Sequence, residues 1–144
     1  NKVNLTSLIT IDAGHRASHM ELKIDGKLDN LTTGIIKLKN TEIIVPTSND
    51  SEWTYFATFG CQSMNNDNMG LAVFYRKKQL KFQSEDELNH VIVLTPDNGY
   101  VEYYFMATWE KEWQPIVDKT SFLNAIEDEL NCLNQKVSIN VRKN

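Results

Sequence analysis

Strand-like runs follow one another along this chain almost without interruption, and that succession limits the fold more than any single motif. Residues 5–11 are apolar and β-branched, and Asp12-Ala13-Gly14 breaks the run. Residues 19–24 alternate, with Met20, Leu22 and Ile24 on one face and His19, Glu21 and Lys23 on the other. Two short strands are expected over 34–38 and 42–45, an aromatic one over 53–59, and a nearly continuous apolar one over 69–75. Further strands are expected over 90–94, 100–109 and 137–141. One helix stands out over 120–134, where Phe122, Leu123, Ile126, Leu130 and Leu133 form a stripe at helical spacing and Thr120 or Ser121 supplies a cap. About nine strands and one late helix, with no helix between strands, describe a mainly β chain. The expected fold is a single antiparallel β-sandwich domain over residues 1–144 with one amphipathic helix near the C-terminus.

Composition excludes several functions. The chain has 144 residues, a size that fits one core, and a net charge of −4 does not suit a generic nucleic-acid surface. No apolar run reaches the roughly 18–20 residues of a membrane helix. Six glycines cannot build a phosphate cradle, and no serine stands in a Gly-x-Ser-x-Gly frame. His15 and His19 are four apart, but in a turn leading into a strand rather than on a helix, so no transition-metal site is expected. Calcium is the one cation with a candidate loop, Asn65-Asn66-Asp67-Asn68, although only one of those four is a carboxylate. Cys61 and Cys132 could form one bridge in an oxidising space, but the expectation is that both are free and at least partly buried. The chain begins at Asn1 without a basic-then-apolar leader, as a processed or excised chain would.

The polar chemistry concentrates in residues 90–110. Thr95-Pro96-Asp97-Asn98-Gly99 is good turn chemistry, so 90–94 and 100–109 are expected to pair as a hairpin. In a regular register Leu94 opposes Tyr100, Ile92 opposes Glu102 and His90 opposes Tyr104. His90 and Glu102 would then be diagonal neighbours, the histidine as acid or base and the glutamate orienting it. Tyr104 would share that face, and Trp109 would join only through a bulge or a strand end. Trp53, Tyr55, Tyr75, Tyr100, Tyr103, Tyr104, Trp109 and Trp113 lie in or beside strands, and sugar rings stack on such side chains. Core packing accounts for many of them equally well.

Several segments carry a family likeness in order: Ile11-Asp12-Ala13-Gly14, Thr33-Gly34-Ile35, Met69-Gly70-Leu71-Ala72-Val73, His90-Val91-Ile92-Val93-Leu94 and Tyr104-Phe105-Met106-Ala107-Thr108-Trp109-Glu110. Together they resemble the C-terminal part of a bacterial secreted family called domain of unknown function 4861, over most of the chain. The resemblance implies a β-sandwich related to the large sandwiches of galactose mutarotases and several polysaccharide lyases. It implies a secreted or periplasmic, carbohydrate-active domain, acting as lyase, hydrolase or epimerase, with a carbohydrate partner. The alternative it leaves is a non-catalytic sugar-binding or structural module. By analogy with mutarotase sites, His90 with Glu102 or Glu110 would do the acid–base work. Family members are much longer, so this chain would be a C-terminal piece. Strands 69–74 and 90–94 would then need cover on both faces, from the protein's own N-terminal half or from a second copy.

Overall fold

The structure is a computed structural model that describes residues 2–46 and 50–135. Its strands are β1 (Asn4–Ile11), β2 (Ser18–Asp25), β3 (Leu31–Ile36), β4 (Thr41–Ile44), β5 (Trp53–Cys61), β6 (Asn68–Arg76), β7 (Leu80–Glu85), β8 (Asn89–Leu94) and β9 (Tyr100–Trp109), followed by one helix, α1 (Lys119–Asn134). Every pairing is antiparallel. A six-stranded sheet runs β1-β2-β9-β6-β5-β4, and a three-stranded sheet runs β3-β8-β7.

Period-2 alternation in the central strands explains the layering. In β5 and β6, Trp53, Tyr55, Ala57, Ala72 and Phe74 point to one side and join Phe122, Ile126 and Leu130 of α1 in a buried cluster. Phe56, Val73 and Tyr75 point to the other side and join Ile35, Ile92 and Leu94 of the small sheet. Strand β6 is therefore covered on both faces, as its continuous apolar run requires. Strand β8 buries Ile92 and Leu94 against the large sheet, while Val91 is half-buried on its other face.

Four expectations are corrected. The turn Asp97–Tyr100 forms, with reciprocal backbone bonds of 2.9 and 3.0 Å and positive φ at Asn98 and Gly99, but it closes a single bridge. β8 and β9 then part into different sheets. Each strand has only two hydrogen-bonding edges; those of β9 are filled by β2 and β6, and those of β8 by β3 and β7. Second, residues 80–85 form an edge strand that its polar end, Gln83-Ser84-Glu85, conceals in the sequence. Third, α1 is capped by Asp118 rather than Thr120 or Ser121: its carboxylate accepts from the Ser121 amide at 2.7 Å, and the Ser121 hydroxyl completes a capping box. Fourth, both cysteines are free, as expected, but exposed. The strand expected over 137–141 lies outside the described residues.

The helix sits against the sheet where β6 carries a glycine. A Cβ on Gly70 would overlap the Phe122 ring, itself fully buried and stacked on Phe59 with centroids 5.4 Å apart. Gly70→Ala should therefore lower unfolding stability by about 1–3 kcal/mol, as overpacking does. In a Phe122→Leu background the cost should shrink, because the obstructing ring is gone. Urea denaturation of the four chains of that cycle measures both effects.

Candidate functional site

The helix-facing side of the large sheet is apolar beneath α1 and polar beyond it. Glu102 lies on the same face of β9 as Tyr104 and Met106. Its strand neighbours are Glu21 on β2 and, one step beyond the Tyr75–Tyr103 pair, Arg76 on β6. Trp53 follows on β5, opposite Arg76. A row of side chains from four strands, Glu21, Glu102, Arg76 and Trp53, thus crosses the sheet. The next row contains His19, opposite Tyr104, which is opposite Phe74.

These residues bind one another. His19 Nε2 is 3.1 Å from Glu102 Oε2, and the imidazole stacks on the Tyr104 ring at 4.3 Å with the planes 9° apart. Arg76 Nε donates to Glu102 Oε1 at 2.5 Å, and the same guanidinium bridges to Glu52. It also lies 4.5 Å above the Trp53 ring, where the π face favours a cation. The Tyr100 hydroxyl donates to Glu21 at 2.7 Å and lies 3.5 Å from Glu102. Desolvation, then the bond to Glu21 and the charge of Glu102, push the Tyr100 hydroxyl well above the ordinary tyrosine range. Burial raises Tyr104 as well, helped by the charge of Glu102. Glu102 and His19 remain partly accessible, with 13% and 17% of their side chains exposed.

The sequence-expected pair is not brought together. His90 shares its face of β8 with Ile92 and Leu94, between the two sheets, whereas Glu102 faces the helix side of the large sheet. The partner of His90 is Glu85, at 3.3 Å across β7. Glu102 and Tyr104 do share a face, but the histidine beside them is His19. Strand β9 runs without a bulge, so Trp109 lies on the opposite face, where its indole N–H reaches Asp67 at 3.3 Å. Glu110 accepts the Asn68 amide at 3.1 Å. The one carboxylate of the candidate calcium loop, Asp67, is held by Lys111 at 2.7 Å and by Trp109, which keeps it below the usual carboxylate range. Among the described residues no group of three or more His, Cys, Asp or Glu is placed to hold a metal ion, and no helix is long and apolar enough to cross a membrane.

A second polar assembly borders the first. After β1, the turn through Gly14 is left-handed, with φ +85°, and carries His15 and Arg16 toward α1. Glu129, buried under the helix, accepts the Arg16 amide at 2.7 Å and lies 3.1 Å from His15 Nδ1. A small cavity of about 110 Å3, lined by Asp12, His15, Tyr104, Glu129 and Cys132 among others, lies between this assembly and the His19–Tyr104 stack.

The chain belongs to the family described as Domain of unknown function (DUF4861), whose model matches residues 1–139. No curated protein and no solved structure matches the chain.

The raised Tyr100 hydroxyl has a measurable consequence. The folded chain keeps this proton at pH values where an unfolded tyrosine loses it, so the contribution is full below about pH 10 and is lost as pH rises toward the folded value. The urea midpoint of the native chain should fall more steeply above about pH 10 than that of Tyr100→Phe. Parallel slopes would mean that Tyr100 ionises alike in both states.

Proposed function

We propose that this DUF4861 protein is a carbohydrate-active domain whose acid–base centre is His19 with Glu102. The supporting observation is the geometry of the imidazole. Glu102 accepts the Nε2 proton, the Tyr104 ring fixes the plane, and Nδ1 makes no hydrogen bond among the described residues. Such an arrangement leaves the Nδ1 lone pair for a substrate proton and stabilises the imidazolium that results. Arg76, itself bridged to Glu52, holds Glu102 in place. The site belongs to a polysaccharide or oligosaccharide lyase, hydrolase or epimerase working outside the cytoplasm.

Among these reactions, the arrangement disfavours hydrolysis by paired carboxylates. Glu21 and Glu102 are cross-strand neighbours with the Tyr100 hydroxyl bonded between them. The Tyr100 hydroxyl thus occupies the space between the two carboxylates, where a glycosidase would hold the bond that it cleaves. Proton transfer by one base, as in a lyase or an epimerase, uses the dyad as it stands.

A non-catalytic module is the second reading, favoured by the satisfaction of Glu102 and Arg76 entirely within the chain. The two separate by experiment. A screen of acidic and neutral polysaccharides and oligosaccharides should read reducing ends, new double-bond absorbance and change of optical rotation. On any substrate found, His19→Ala and Glu102→Gln should each reduce turnover by about 100-fold or more with the unfolding midpoint of His19→Ala little changed. A module would instead bind sugar without turnover, and the same variants would lose only stability. Loss of turnover in His90→Ala but not in His19→Ala would return the acid–base role to His90.

A further inference from the structure

The loop after β9 carries the most exposed aromatic ring of the chain. Trp113 is 95% exposed, while Trp53 is buried and Trp109 half-buried. A lone exposed apolar residue needs no explanation. Trp113, however, lines a hollow of about 330 Å3 with Gly14, His15, Arg16, Glu112 and Gln114. A second hollow of about 370 Å3 shares Gly14, Arg16 and Gln114 and extends along α1 to Asn124, Asp128 and Glu129. Both are at the small end of the range of about 300–1,000 Å3 found for ligand clefts.

The loop is held in place. Trp109 O accepts from the amides of Glu112 and Ile116, both at 3.3 Å, closing its base. Arg16 bridges to Glu112, and its other amino group donates to Gln114 O at 3.0 Å and lies 3.3 Å from Gln114 Oε1. Trp113 is thus presented on a clamped turn, so the backbone that carries it needs little ordering when a ligand covers the ring.

We propose that these two adjoining hollows are consecutive sugar subsites for a neutral glycan, with Trp113 as the platform on which one ring stacks. This rests on the carbohydrate reading above and names the substrate class for it. The apolar C–H face of a pyranose needs a flat, rigid aromatic surface, which Trp113 provides. Its hydroxyls need mixed donors and acceptors, which Gln114, Glu112, Asn124 and Asp128 provide. Neutral rather than acidic follows from charge. Glu112, Asp128 and Glu129 line the hollows against the single guanidinium of Arg16. That guanidinium is already committed to Glu112 and Gln114, and His15 to Glu129. A uronate carboxylate would meet three like charges and no uncommitted cation among the described lining residues. The small cavity lined by His15, Glu129 and Tyr104 lies between these hollows and the ring on which His19 stacks.

The test titrates the full chain with a soluble β-glucan, a xylan and a galactomannan, and separately with polygalacturonate and alginate, following tryptophan emission and calorimetric heat. At least one neutral glycan should bind with a blue shift in emission. Trp113→Ala should weaken that binding about tenfold or more, as loss of an aromatic anchor does. Trp113→Phe should recover part of it, with unfolding midpoints unchanged in both. His19→Ala should keep the binding. Binding confined to the acidic polymers, binding unaffected by Trp113→Ala, or no binding to any neutral glycan overturns the proposal. If turnover is found while Trp113→Ala has no effect on binding or KM, the subsites fail and the carbohydrate reading stands. If none of the five polymers binds and the wider screen finds no turnover, both fail.

Discussion

Strand β9 has no hydrogen-bonding edge to spare, and the architecture follows from that. With β2 on one side and β6 on the other, it is an interior member of the large sheet. The preceding strand, β8, cannot pair with it despite a turn well suited to doing so. It becomes the centre of a second sheet, and the two sheets meet face to face through Ile92, Leu94, Phe56 and Val73. The apolar side left on the large sheet is then closed by α1, the only α-helix among the described residues.

The same constraint assembles the polar centre. Because β9 lies between β2 and β6, Glu102 and Tyr104 each have cross-strand neighbours in both directions. A carboxylate there receives a histidine from one neighbour and an arginine from the other. Neither arrives from the segment adjacent in sequence. The cluster gathers residues far apart in the chain; His19 and Glu102 are separated by 83 positions.

This explains what was legible in the chain and what was not. Apolar or aromatic runs located β1, β5, β6, β8 and β9, alternation located β2, and helical spacing located α1. Alternation also put His19 and Glu21 together on the polar face of β2. No local signal says which strand lies beside β9, so the shared face of Glu102 and Tyr104 is legible in the sequence, while the histidine beside them, His19 rather than His90, is not. Residues 80–85 were missed because an edge strand buries little and needs few apolar residues. Trp113 could be noted as an aromatic near a strand. Its exposure depends on the clamp from Arg16, a residue 98 positions from Gln114.

Strand β1 occupies an unusual place in this arrangement. None of its residues belongs to either buried cluster, and Leu5, Leu8, Ile9 and Ile11 are all more than half exposed. It adheres to the molecule through its backbone ladder to β2 and little else. Cohesion of that kind can be lost locally without disturbing the central packing. The helix, the large sheet and the small sheet thus share two buried clusters, and β1 lies outside both. A fluctuation that frees β1 would bare the outer edge of β2, the strand that delivers His19, and would release the N-terminal anchor of the Gly14 turn. The polar centre therefore has β1 as its neighbour through one strand, although no residue of β1 takes part in it.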